Sequence, residues 1–180
     1  MQSRIPHETP DGSPRAAWPG APLTVELTAA LTGARRRAAR DRDRETDTAH
    51  LLHSLLESDP EVRAVFGGAR VVKLLGYLVQ RSIGYGLRWQ GAAESTGTPP
   101  VAGGSGFSAA AARALEAAAV RAVGRGAPAA DGLDLLASLV ADPDCRAVEV
   151  LRRSAFRAAE LRARIEAVRA GSARGEEVGN

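Results

Sequence analysis

Two of the three histidines in the chain stand three residues apart, His50 and His53, inside DTAHLLHSLLES, residues 47–58. On a helix that spacing makes two imidazoles neighbours, as a metal-binding or acid–base pair would be. A zinc site takes three or four ligands, and the remaining histidine, His7, lies far off in a proline-rich opening. At about 100° per residue, Leu51, Leu52, Leu55 and Leu56 share one side of this helix. His50, His53, Ser54 and Glu57 fall on the other. Both imidazoles are therefore expected to face solvent, and no metal is assigned to them.

Other reactive residue types give equally little chemistry. A phosphate-cradling P-loop needs Gly-Lys followed by Ser or Thr, and the one lysine, Lys73, sits in VVKLL. No G-x-S-x-G elbow occurs. Asp41, Asp43 and Glu45 are interleaved with arginines and read as charge balance. No catalytic residue and no cofactor are assigned, which leaves a hydrolase or a metal-dependent enzyme only as a remote alternative.

Composition narrows the class. Hydrophobic residues make up 44% of the 180, but aromatics only 4%. The apolar content is alanine, leucine and valine, which favours packed helices over sheets. No apolar run reaches the roughly 20 residues that span a bilayer, and the opening has no hydrophobic signal core; a cytoplasmic protein with no membrane partner is expected. Of the 24 basic residues all but Lys73 are arginine, a skew that fits the codon bias of a GC-rich genome. The densest basic stretch, ARRRAARDRDRE at 34–45, alternates with acids and lacks aromatics for stacking bases. No nucleic-acid partner is expected.

The chain repeats itself. DPEVRAV at 59–65 returns as DPDCRAV at 142–148, and LLHSLL at 51–56 as LLASLV at 135–140. Asp47 and Asp131 each stand four residues before the double leucine. LTVELTAALTGARRRA at 23–38 overlays FSAAAARALEAAAVRA at 107–122 at the same offset of 84 residues. Cys145 then aligns with Val62 and reads as a small apolar packing residue.

Each unit predicts four helices, giving an all-α, pseudo-two-fold duplication of a four-helix repeat. The first helices carry stripes Leu27, Leu31, Ala34, Ala38 and Ala111, Leu115, Ala118, Ala122. The second begin at Asp47 and Asp131, side chains that cap a first turn. The third start near Pro60 and Pro143, since proline suits the first helical position. The fourth cover 70–82 and 158–170. The organisation is a flexible N-terminal arm at 1–22, repeat one at 23–90, a linker at 91–106, repeat two at 107–170 and a disordered tail at 171–180.

This order of motifs resembles the N-terminal domain of Clp ATPase unfoldases of the ClpC/ClpA type, a double Clp-N motif. There each repeat opens with Phe-Thr, and a Gly-Thr-Glu-His-[Ile/Leu]-Leu-Leu-Gly-Leu segment begins its second helix. Here the openings are Leu23-Thr24 and Phe107-Ser108. The second motif stands as Asp47-Thr48-Ala49-His50-Leu51-Leu52-His53-Ser54-Leu55 and as Asp131-Gly132-Leu133-Asp134-Leu135-Leu136-Ala137-Ser138-Leu139. The resemblance covers 23–170 and implies a recognition domain on its own, without ATPase modules. The motif glutamate, which helps bind phosphoarginine in ClpC-type domains, is Ala49 in one repeat and Leu133 in the other. An arginine-derived ligand would lose its carboxylate partner at both.

In actinobacterial ClpC domains, cyclic peptide antibiotics bind where the first helices of the two repeats meet. The resemblance places Phe107, Ser108, Ala112, Leu115 and Glu116 on that seam, faced by Leu23, Leu31 and Arg35, with Trp18 upstream able to fold back. Phe107 also reads as a core residue, and both roles can hold at once. The expected partner is a peptide or cyclic peptide, captured as by a decoy. The alternative is an adaptor or regulator docking on a ClpC-type unfoldase.

Overall fold

The structure is a computed structural model that describes residues 22–82, 94 and 106–178. Trp18 lies outside the described residues, as do the 1–22 arm except Pro22 and the 91–106 linker except Glu94 and Gly106. Among the described residues are eight helices: α1 (Val25–Asp41), α2 (Thr48–Ser58), α3 (Pro60–Phe66), α4 (Gly68–Ser82), α5 (Ala109–Gly124), α6 (Gly132–Ala141), α7 (Arg146–Arg153) and α8 (Ala158–Val178). The fold is all-α, four helices to a repeat.

Local chemistry sets the helix starts, and it does so twice. Thr24 Oγ1 accepts the Leu27 N–H at 3.2 Å to cap α1, and Ser108 Oγ accepts the Ala111 N–H at 3.2 Å to cap α5. Asp47 caps α2 by accepting from His50 N at 2.8 Å, and Asp131 caps α6 by accepting from Asp134 N at 2.8 Å. In both helices the third residue answers with its own side chain: His50 Nδ1 accepts from Asp47 N, and Asp134 Oδ2 from Asp131 N. These are capping boxes built with unusual third residues.

The two repeats are tied together reciprocally. Leu23 pairs with Ala130, just before α6, and Phe107 pairs with Thr46, just before α2. The first contact uses Thr24 N to Ala130 O at 3.0 Å and Ala130 N to Pro22 O at 2.8 Å. The second uses Thr46 N to Gly106 O at 2.6 Å and Ser108 N to Thr46 O at 3.0 Å. The opening of each repeat thus clips onto the other repeat, so neither half is built from its own residues alone.

α2 and α6 form the centre. α2 packs against α1, α3 and α4 of its own repeat and against α5, α6 and α7 of the other. Every residue of α2 from Thr48 to Leu56, and every residue of α6 from Gly132 to Val140, is buried. This overturns the expectation that His50 and His53 face solvent. The helical wheel placed them away from their own repeat's core, but in the doubled molecule α2 has neighbours on all sides. The close approach needs glycine at Gly132, where a Cβ would collide with Asp59 Oδ2 and lie 3.0 Å from Val62 Cγ2.

Two boundaries differ from the sequence reading. α7 begins at Arg146, not near Pro143, because Asp142 spends its carboxylate on the Asp144 N–H at 3.1 Å and closes a turn. In repeat one Asp59 instead caps α3 through Glu61 N and Val62 N. α8 continues to Val178, past the expected end at Ala170. Far from the clips, Phe66 and Phe156 meet edge to face, centroids 5.2 Å apart, with the Arg70 guanidinium 4.3 Å from the Phe156 ring centre. No helix among the described residues is long and apolar enough to cross a membrane.

Candidate functional site

The residues expected at the seam are partly brought together. The Arg35 guanidinium of α1 lies 4.8 Å from the centre of the Phe107 ring, a cation–π distance. Phe107 is 8% exposed and belongs to the core cluster. Arg35 and Glu116 are exposed, Leu23 and Ala112 half-buried, and Leu31 nearly buried. Leu115 and Ser108 are sealed in: Leu115 packs in the core and Ser108 is committed to capping α5. Packing between the halves runs through α2, α3 and α4 against α5 to α8. It does not run along paired first helices, as the resemblance implied. The surface on offer is therefore a small platform, the Arg35 guanidinium of α1 laid over the Phe107 ring, with Glu116 exposed on α5, the helix that follows Phe107.

A cavity of about 200 Å³ opens elsewhere, between α5, α6 and the turn into α7. Ala110, Ala114 and Ala117 line one wall, and Thr48 and Cys145 are among the other lining residues. None of the expected seam residues borders it. Burial pushes the Cys145 thiol up to about 11, so it stays protonated and acts as the packing residue its alignment with Val62 indicated.

Glu94 is the site residue that the sequence reading missed. It is buried, and four groups from both repeats converge on its carboxylate. Thr48 N donates to Oε2 at 3.1 Å, Ser108 Oγ at 2.9 Å, and Arg146 N to Oε1 at 2.6 Å; the Thr48 hydroxyl also bonds Oε1. Cys145, the residue before α7, makes no side-chain cap bond, and Glu94 supplies that acceptor from outside. The available signal was that Glu94 is the one charged residue in the 91–106 linker.

Charged residues cluster at the two capping boxes, with different chemistry. In repeat two, Arg125 bridges Asp131 at 2.7 Å and Asp134 at 2.6 Å, and Arg169 reaches the same pair at 3.1 and 2.9 Å. Burial alone would raise the Asp134 carboxyl, but the Arg125 hydrogen bond and the charges of Arg169 and Arg125 hold it below its usual range. In repeat one the equivalent of Arg125 is Asp41, and that of Asp134 is His50. His50 Nε2 lies 3.2 Å from Asp43 Oδ2 and 3.6 Å from Asp41 Oδ2, while Nδ1 lies 2.8 Å from Asp47 Oδ1. Arg146 holds the other Asp47 oxygen at 2.8 Å. One turn on, burial, reinforced by the Arg37 charge, lowers His53 from 6.5 to about 4.

A doubled four-helix unit, clipped reciprocally and built around two buried second helices, has the fold of a Clp N-terminal domain. The solved N-terminal domain of the caseinolytic protease associated chaperone ClpD from Arabidopsis thaliana is similar at TM-score 0.60 and 17% identity, covering 81% of this chain and 92% of that one. A chain from preliminary structural investigations of a malarial protein secretion system is similar at TM-score 0.56 and 17% identity, covering 80% and 92%. No family model matches the chain, and no curated protein matches it. At this identity the likeness is one of fold.

Proposed function

We propose that the protein is a non-catalytic binding module that captures a peptide, and that cyclic peptides of the class that targets Clp unfoldases are its ligands. The observation that carries this reading is the Arg35–Phe107 platform at the joint between the repeats. The Phe107 ring would offer apolar contact, Arg35 a charge and planar donors, and Glu116 an acceptor for peptide N–H groups. Leu23, Leu31 and Ala112 are assigned to the same surface by the resemblance. Trp18 is assigned to the same surface by sequence alone. The module would hold its ligand away from an unfoldase as a decoy does. Calorimetric titration of the chain at tens of micromolar with such cyclic peptides should give saturable heat, weakened about tenfold by Arg35→Ala with the melting temperature unchanged. No heat from any peptide of the class would end this reading.

The second reading is an adaptor that docks on a ClpC-type unfoldase in the cytoplasm. It is favoured by Val120 and Val123, 71% and 66% exposed and one turn apart on α5. Recovery of the unfoldase at equal stoichiometry from native cytosol, lost on Val120→Asp, supports it; an empty lane counts against it.

A further inference from the structure

The cavity beside α5 lies where the two repeats differ in the bulk they carry. In repeat one the Asp59 carboxylate and Val62 pack against Gly132, and Glu57 is drawn across to Arg37. Repeat two has smaller groups at the matching positions, Cys145 for Val62 and Ala141 for Glu57. Asp142, the counterpart of Asp59, gives one oxygen to the Asp144 N–H and holds the other 3.6 Å from Arg113. About 200 Å³ is left open between them. We infer that this cavity binds the end of a linear peptide: an apolar last residue of leucine or phenylalanine size, with its free carboxylate held by Arg113.

The interior selects an apolar group. Ala110, Ala114 and Ala117 present methyl groups along one wall. Polar atoms of the lining are already engaged within the protein. The Ser138 hydroxyl donates to Asp134 O at 2.9 Å, the Cys145 thiol to Leu139 O at 3.4 Å, and Thr48 Oγ1 accepts from Ala147 N at 3.0 Å. A polar side chain entering there would give up water for no partner. An apolar cavity of about 150 Å³ holds a benzene molecule. The volume here therefore suits one leucine or phenylalanine side chain.

The rim selects a carboxylate. Arg113 borders the cavity and is 64% exposed. Its separation from Asp142 is longer than the roughly 2.7–2.9 Å of a charge-assisted hydrogen bond, so its planar donors remain open to a second carboxylate. Repeat one has Ala29 at this position, so the charge is found only where the cavity is. Asp142 spends one oxygen on its own turn and is half as exposed, at 32%. An amino terminus would also bring a second cation to Arg113. The rim therefore serves the carboxyl end, with Asp142 an acceptor for the last N–H of the peptide. A cyclic peptide has no such end, and this inference does not rest on the Arg35–Phe107 platform.

A fluorescein-labelled Gly-Ser decapeptide ending in leucine, titrated with the full chain and followed by anisotropy, tests this. The expected result is saturable binding of the free acid, with the carboxamide and a glycine-ended peptide each at least about tenfold weaker. Arg113→Gln should weaken the acid at least about tenfold and affect the carboxamide little. Ala117→Leu, which fills the cavity from an exposed helical position, should abolish binding of the acid. Arg162→Gln removes an equal charge from α8 and should change nothing. All three positions are exposed, so the variants should keep the wild-type circular dichroism spectrum. No saturation by the acid at hundreds of micromolar protein, or equal affinity for acid and carboxamide, overturns the assignment. So does wild-type affinity in Arg113→Gln or Ala117→Leu, or an equal loss in Arg162→Gln.

Discussion

His53 shows how a single group couples the fold to pH. In the folded chain burial and the Arg37 charge lower it to about 4 from 6.5, partly opposed by Glu57 and Asp41. The unfolded chain therefore takes up that proton first as pH falls. This part of the stability is complete above about pH 6.5 and is lost between there and pH 4, by up to about 3 kcal/mol. Urea midpoints at pH 7 and pH 5 should differ in the wild type and differ less in His53→Gln; equal slopes in the two proteins would contradict this. Gly132 is the residue-scale counterpart in packing. Its missing Cβ makes room for Asp59, whose other oxygen is fixed by capping α3. Gly132→Ala should destabilise by about 1–3 kcal/mol, read from the same midpoints. Neither effect is visible along the sequence, since Arg37 and Asp59 reach these positions only through the fold.

At the scale of elements, what the sequence declared was what each helix settles with its own neighbours. Asp47 and Asp131 cap their helices as the sequence led one to expect, and Thr24 and Ser108 do the same for α1 and α5. Pro60 opens α3. Pro143 misled because the acceptor serving α7 is not Asp142 beside it but Glu94, more than fifty residues away in sequence. That carboxylate satisfies first-turn N–H groups of both α2 and α7, so the two repeats share one cap. Glu94→Ala should cost about 2–3 kcal/mol, the scale for removing a buried charged acceptor, while Glu116→Ala, on an exposed stretch of α5, should cost under about 0.5 kcal/mol. Equal midpoints for the two variants would show that Glu94 has no such role. The amphipathic wheel failed at α2 for a related reason. It orients a helix toward one core, and α2 serves two.

At the scale of the whole molecule, the duplication was readable because both copies keep their spacing while their residues drift. The reciprocal clips, Leu23 to Ala130 and Phe107 to Thr46, explain why the offset stays at 84 residues through this region: a shift in either copy would misplace both joints. The candidate binding surface was read less completely. Arg35 and Glu116 are exposed and Arg35 lies over the Phe107 ring, but Ser108 and Leu115 turned out to hold the fold together, because a residue matched by motif carries no information about its depth. The central claim is that this doubled bundle holds a peptide at the joint between its repeats. Amide chemical-shift mapping of the labelled chain during titration with a cyclic peptide of the Clp-targeting class tests it most directly. The account predicts saturable shifts grouped at Leu31, Arg35, Phe107, Ala112 and Glu116, and their loss in Arg35→Ala. An unchanged spectrum at saturating peptide, or shifts grouped away from that joint, would contradict it.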